Sequence, residues 1–357
     1  MSAPPGRILF VGLGTTGGWR HADRTLARAL AARGFQVTGA WPELDRVSGA
    51  DFPLRPLSTE LWQSWAMRRT LNRHAALRPQ VVITSASTSM LLLPAALRER
   101  TIVWSDSPLW ANREGRRNAP LRHRERGVLP KVSLFALQTL AFREAVEAHH
   151  GLAPGSVFDL PVPVAPSGPP PTARRAAAVI YAGNPHKKGL DLAVAAWTEV
   201  KSAAELFVTG IEERAARGFL AQRNVVVPPT VRFLGRLPTA EHRALTRSAA
   251  VYLSTSRREE YGNTQLEALI DGALLVSGPT DGSAEPRALA CRLAPDLVAP
   301  DFAAGLVRSI ELGLGFDLGA AAAYRRCAQQ LLQAYSPEAF ERQVDSLSDH
   351  IRRLPAL

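Results

Sequence analysis

Cysteine is nearly missing from this 357-residue chain: there are two, Cys291 and Cys327, both among small residues of helical character. Without metal-ligand spacing or a partner framework, they exclude a disulfide-stapled fold and a thiolate metal site, and they read as packing residues. Long apolar runs are absent too. None approaches the roughly 20 residues that cross a bilayer, and the opening Met-Ser-Ala-Pro-Pro-Gly-Arg leads straight into a strand instead of a signal-peptide core. The expectation is a soluble, cytoplasmic protein. Acidic residues are in short supply, 32 against 43 Lys and Arg, for a net charge of +11. Most of that excess is scattered as single arginines on alanine-rich helical segments, which reads as solvated faces. The denser stretch Arg113 to Lys131 has no interleaved aromatics and no nucleic-acid motif, so no nucleic-acid partner is expected.

What is present is ordinary globular material, 46% hydrophobic and 21% charged, in a length that commonly divides into two domains. Arg7 to Gly12 reads as a buried strand, followed by a glycine loop and a helix from His21 to Arg33. Strands at Phe35–Ala40, Val81–Thr84, Thr101–Trp104 and Val157–Pro161 continue a β/α alternation, with a long amphipathic helix at Ser133–His149. The Pro-rich stretch after Pro161 can neither propagate a helix nor sit in a central strand. Alternation then restarts with strand Ala178–Ala182, helix Leu190–Val200, strands Glu205–Thr209 and Val231–Leu234, helix Ala240–Ser248 and strand Val251–Leu253. The expected organisation is α/β throughout. An N-terminal Rossmann-like domain covers 1–163, a linker 164–175 and a second Rossmann-like domain 176–336. A C-terminal helix, 337–357, carries Phe340, Val344, Leu347 and Ile351 at helical spacing. It can pack on either domain, and return to the first is the expectation.

Ser256 to Gly272 carries the densest chemistry. Glu259 and Glu267 stand eight positions apart around Tyr261-Gly262, after the strand that starts at Ala249. A strand, turn and helix would put one carboxylate at a cleft mouth and the other on the first helical turn. The amides of Gly262, Asn263 and Thr264 would lie at the helix start, where unpaired N–H groups favour an anion. Hydroxyls and a diphosphate, the two parts of a nucleotide sugar, want these groups. Plainer readings stand beside this one: Thr264-Gln265-Leu266-Glu267 has the form of a capping box, and Glu260 competes with Glu259. A second anion candidate is Gly183-Asn184-Pro185-His186-Lys187-Lys188-Gly189, a turn expected to expose amides beside two lysines, of which Lys188 is preferred. The first glycine loop, Gly12 to Gly18, has the letters of a dinucleotide fingerprint. The acidic residue due after the second strand is replaced by Thr38-Gly39-Ala40, with Glu43 further on. Gly14 and Gly17 are therefore assigned to a donor phosphate or sugar, and an NAD-dependent oxidoreductase remains the alternative.

The pattern Glu259, Tyr261, Gly262, Glu267, Ala268, Gly272 resembles the Glu-x-Phe/Tyr-Gly-x-x-x-x-Glu-Ala-x-x-x-Gly signature of retaining glycosyltransferases of the GT-B fold, family GT4. Lys188-Gly189, Arg232-Phe233-Leu234-Gly235 and Gly282-Ser283-Ala284-Glu285 are similar to its phosphate-binding, base-side and donor-loop segments. The resemblance implies two doubly wound Rossmann-like domains facing a central cleft and a hexosyltransferase. A hydroxyl of a small-molecule acceptor, of natural-product or nucleoside-like kind, would receive the sugar with retention. By the same resemblance Glu259 would hold the sugar hydroxyls, Glu267 the ribose, Lys188 the diphosphate, and the Gly262–Thr264 amides the sugar and β-phosphate. Gly183, Asn184, Gly235, Arg236 and Tyr261 complete the donor set; His21, Ser105 and Asp106 make the acceptor set. Asp106, with Glu259 and Lys188, is also placed with the catalytic residues. Where the family carries an arginine after the glycine, this chain has Asn184, so His186, Lys187 or Arg236 would stand in. Where the family often has a histidine, this chain reads Trp104-Ser105-Asp106-Ser107, and Asp106 reads equally as a loop cap. No Asp-x-Asp pair occurs, so neither metal nor cofactor is expected. A lipid acceptor reached through Arg113–Lys131 is the less favoured alternative.

Overall fold

The structure, a computed structural model, describes residues 6–14, 17–42, 59–113, 115–169, 171 and 173–355; Glu43 and part of the first glycine loop lie outside them. The chain forms two compact units, Met1–Val162 with Pro337–Leu357, and Pro163–Ser336. In the first, strands β1 (Arg7–Val11), β2 (Gln36–Ala40), β3 (Val81–Ser85), β4 (Thr101–Ser105), β5 (Leu134–Leu137) and β6 (Phe158–Asp159) make a parallel sheet in the order β2-β1-β3-β4-β5-β6. Every residue of β3 and β4 is buried, as expected of strands covered on both faces. Helices α1 (Gly17–Ala32), α2 (Thr59–Arg73), α3 (Leu109–Asn112), α4 (Ala119–Val128) and α5 (Arg143–His150) surround the sheet.

Several expectations are corrected here. The long helix at Ser133–His149 is instead β5, a short 3-10 turn and α5. Leu134-Phe135-Ala136-Leu137 suits either period, and parallel pairing with β4 decides for the strand. Between β3 and β4 the chain makes only 3-10 turns, and α1 begins at Gly17, not His21. Both cysteines are exposed on their helices, so neither packs in a core. The dense basic stretch is less solvated than expected. Arg113 pairs with Glu60, Arg122 donates to the carbonyls of Arg113 and Gly115, and Arg124 to that of Leu91.

In the second unit β7 (Arg175–Tyr181), β8 (Glu205–Thr209), β9 (Val231–Phe233), β10 (Ala249–Ser254) and β11 (Leu274–Ser277) pair in parallel in the order β11-β10-β7-β8-β9. Its helices are α6 (Leu190–Glu199), α7 (Glu213–Ala221), α8 (Thr239–Ser248), α9 (Asn263–Ile270), α10 (Glu285–Leu293), α11 (Ala304–Leu314) and α12 (Leu318–Leu331). From β7 the chain winds outward to β8 and β9, then returns to lay β10 on the other side of β7. That reversal leaves a crevice beyond the carboxyl ends of β7 and β10, where open α/β sheets take their ligands. The Pro-rich segment is held by the unit it enters: Ser167 donates to Asp271 through both its amide and its hydroxyl, at 2.7 and 2.8 Å.

Helix α13 (Pro337–Arg353) belongs to the first unit. It buries Phe340, Val344, Leu347 and Ile351 along one stripe, and Glu341 and Asp345 pair with Arg33 just after α1. Gln80 adds hydrogen bonds to the carbonyls of Ile351 and Leu354. No described helix is long and apolar enough to cross a membrane.

Candidate functional site

Lys188 and Glu259 meet across the second unit's crevice. Asn184-Pro185 starts a tight turn after β7, in which Asn184 Oδ1 accepts the Lys187 amide and the Asn184 carbonyl accepts the Lys188 amide. The amides of Gly189 and Leu190 go to His186 and Pro185. The turn therefore spends on itself the amides expected to face an anion at the α6 start. What it presents is side chain. Gly189 closes the turn at φ +63°, and a Cβ there would lie 2.0 Å from the Thr255 carbonyl oxygen. The Thr255 hydroxyl binds the carbonyls of Lys188 and Gly189, stitching this turn to the end of β10.

From the β10 side, Glu259 is fixed through its backbone to the next loop: its amide donates to Asp281 and its carbonyl accepts the Ala284 amide. Its side chain is only 9% exposed. Carboxylate Oε2 accepts from Lys188 Nζ at 2.5 Å, Gln265 Nε2 at 2.7 Å and Ser256 Oγ at 3.1 Å. Burial alone would raise this pKa, but the Lys188 ammonium and the Gln265 amide outweigh it and hold the carboxyl below its ordinary value. Glu259 is thus charged, and its Oε1 has no hydrogen-bond partner among the described residues. Glu260 pairs with Lys187 at 2.6 Å, and its carbonyl accepts the Ser283 hydroxyl. Arg257 clamps the same loops, with a bidentate pair to Asp191 and a bond to the His186 carbonyl. Of the two glutamates, Glu259 is the one lodged in the crevice.

Helix α9 opens beside this pair. Gly262 is its cap at φ +78°, where a Cβ would strike Pro286. The capping box is not formed, because the helix starts before Thr264, whose hydroxyl donates to Gln265 Oε1. The amides of Gln265 and Leu266 already close on the Gly262 carbonyl, which leaves those of Asn263 and Thr264 at the helix start without an intrahelical partner. Glu267, one turn on, is half-buried; burial lifts its pKa, Arg243 opposes, and Asp271 adds to the rise. Gly183 and Asn184 are exposed at the rim, and Arg236 is exposed after Gly235, itself at φ +70°. Tyr261 is buried, so its ring is not offered to a ligand.

Residues 176–311 match the family model described as Glycosyl transferases group 1. The second unit is a group 1 glycosyltransferase domain, and the protein is a glycosyltransferase of the GT-B fold. Sucrose-phosphate synthase from Thermosynechococcus elongatus is 17% identical with TM-score 0.70, covering 97% of this chain and 99% of its own. WaaG, a lipopolysaccharide glycosyltransferase, gives 16%, 0.68, 97% and 100%; Anabaena HepE gives 14%, 0.66, 96% and 100%. These likenesses carry the fold. No curated protein matches the chain.

The oxidoreductase alternative falls with this match, and the glycine loop of the first unit is part of a glycosyltransferase. Gly14 has φ +61° and Gly17 is the first residue of α1. Beneath the loop Leu13 donates its amide to Ser85 Oγ at 3.0 Å, and Ser85 Oγ donates to Asp23 Oδ2 at 3.2 Å. Asp23 is fully buried, and burial pushes its pKa up to about 7 against the Ser85 and Trp41 hydrogen bonds. His21 is exposed on α1. Ser105 is a correction to the acceptor set. It has no exposure, and its hydroxyl is spent on the Ser107 carbonyl and the Ser87 amide. Asp106 follows β4, half-buried, its carbonyl accepting Thr139 Oγ1.

Gln265, Ser256 and Thr255, which the sequence does not single out, also belong to this candidate site. Gln265 reads as a polar residue on a helix start, and nothing in its spacing says that its amide turns back to Glu259. Among the described residues no cluster of His, Cys, Asp or Glu suits a metal ion.

Proposed function

We propose that this glycosyltransferase moves a sugar from a nucleoside-diphosphate sugar to a hydroxyl of a small-molecule acceptor, with retention and without a resident metal. One observation carries the reading: a lysine and a buried, charged glutamate face each other at the crevice of the second sheet, beside the start of α9. In support, HepE was solved with UDP and glucose and with UDP-glucose.

The chemistry follows from charge. As the bond to the anomeric carbon breaks, negative charge grows on the β-phosphate and positive charge on the sugar ring. Lys188 and the Asn263 and Thr264 amides at the start of α9 supply positive charge for the departing phosphate, so they favour the transition state over the ground state. Glu259 Oε1 accepts a sugar hydroxyl, and Glu267 accepts the ribose hydroxyls. Asp106 and His21 stand at the acceptor side. A thermal-shift panel of UDP, GDP, ADP and TDP sugars tests the donor class, since a ligand bound only by the folded state raises Tm by mass action. A rise with one base series, followed by transfer to an acceptor, is the expected result; no rise with any of the four overturns the reading.

A further inference from the structure

Without ligand, both lysines of the β7 turn are committed to carboxylates: Lys188 to Glu259 and Lys187 to Glu260, at 2.5 and 2.6 Å. The positive charge expected to attract a diphosphate is therefore already cancelled. Lys188 is the more enclosed, 16% exposed against 40% for Lys187. Glu259 in turn hangs on more than the lysine, because Gln265 Nε2 reaches the same Oε2, and Gln265 is itself oriented by Thr264 Oγ1 and Ser254 Oγ.

We propose that the Lys188–Glu259 pair discriminates loaded donor from spent nucleoside diphosphate, with Gln265 as the positioning residue that makes the discrimination possible. This rests on the nucleotide-sugar reading above. An ammonium has three N–H groups, so Lys188 can touch a phosphate without leaving Glu259, but its single charge is then shared between two anions. A nucleotide sugar relieves that sharing, because a sugar hydroxyl donates to Glu259 Oε1 while the diphosphate takes Lys188. The spent nucleoside diphosphate brings no hydroxyl. Its terminal phosphate loses a second proton near pH ~6, and that added charge meets the Glu259 carboxylate with no sugar hydroxyl between them, a like-charge repulsion that offsets its attraction to the lysine. Glu259 then draws the lysine back and the product is expelled. Gln265, the nearer of the two neutral donors to Oε2 at 2.7 Å against 3.1 Å for Ser256 Oγ, keeps the carboxylate partnered while the lysine's charge is diverted.

Titration calorimetry with the nucleotide sugar chosen by the thermal-shift panel, and with its free nucleoside diphosphate, tests the inference. Wild-type protein should bind the sugar form at least about tenfold more tightly than the diphosphate, a difference of about 1.4 kcal/mol. In Glu259→Gln the side chain keeps its shape and loses its charge, so the diphosphate should bind at least fivefold more tightly than to wild type while the sugar form gains nothing. Gln265→Leu should do the reverse. Glu259 then holds Lys188 harder, diphosphate affinity falls severalfold and donor KM rises more than kcat falls, a split that a loss of stability alone would not produce. Diphosphate affinity in Glu259→Gln equal to or weaker than wild type overturns the inference and leaves the donor assignment standing. If wild-type protein binds none of these nucleotides, both fall together.

Discussion

Each unit has one place where the winding of its sheet reverses, and the two places are built from opposite chemistry. In the first unit the reversal lies between β1 and β3, and the bond across it is neutral: the Leu13 amide on the Ser85 hydroxyl, backed by a buried Asp23 whose pKa is pushed up to about 7. In the second it lies between β7 and β10, and the bond across it is ionic, Lys188 on a glutamate held below its ordinary pKa. The same architecture therefore gives two unlike edges. On the first edge Ser85 and Asp23 are fully buried and close on each other, whereas the second edge presents exchangeable charge, which suits a phosphate. Topology decides where a ligand can sit, and the loop residues decide which kind.

Removing the ionic side should have the largest effect. Glu259→Ala is expected to lower kcat/KM for transfer by about 100-fold or more, in the range found for loss of one preorganised charge-stabilising group; turnover within a few-fold of wild type would break the contrast. Next comes the turn that presents Lys188. Gly189→Ala forces a Cβ against the Thr255 carbonyl at a positive φ, and should cost about 3 kcal/mol, read as a lowered denaturation midpoint. The neutral side has its own signature in pH. A buried acid with a raised folded-state pKa contributes its full stability below its unfolded pKa and loses it as pH climbs through about 7. Wild-type protein should thus lose about 2 kcal/mol between pH 5 and pH 8 that Asp23→Asn does not, measured by urea titration at the two pH values. The smallest effect is expected from Ser105→Ala, which frees the Ser87 amide and should cost about 1 kcal/mol of stability with donor KM unchanged. A change in donor KM there would erase the distinction between the edges.

The sequence makes much of the second unit plain. The Glu259-to-Gly272 spacing, the strand ahead of it and the Lys188-Gly189 turn depend on local chain geometry, and a short stretch of letters encodes them. The contact between Lys188 and Glu259 is different. It spans distant segments that become neighbours only because β10 returns to pair with β7, and residue spacing says nothing of that. Gln265 was hidden for a related reason: a helix start predicts where its Cα lies, not that its amide turns back toward the crevice. In the first unit the misread at Ser133–His149 came from an apolar stretch compatible with either period, which a neighbouring strand resolves. Ser105 sits at a strand end, as its place in the sequence implies, but its burial depends on the serine-rich turn opposite, which spacing does not encode.

Helix α13 has a consequence for the order of assembly. The apolar stripe that it lays down, and the acids that meet Arg33, come after the whole of the second unit in the chain. During synthesis the second unit can reach its final structure first, while the first waits with one flank uncovered. Cutting the chain before Pro337 should leave a well-folded C-terminal sheet joined to a sticky, protease-sensitive N-terminal partner, and a peptide with the α13 sequence supplied separately should restore its solubility.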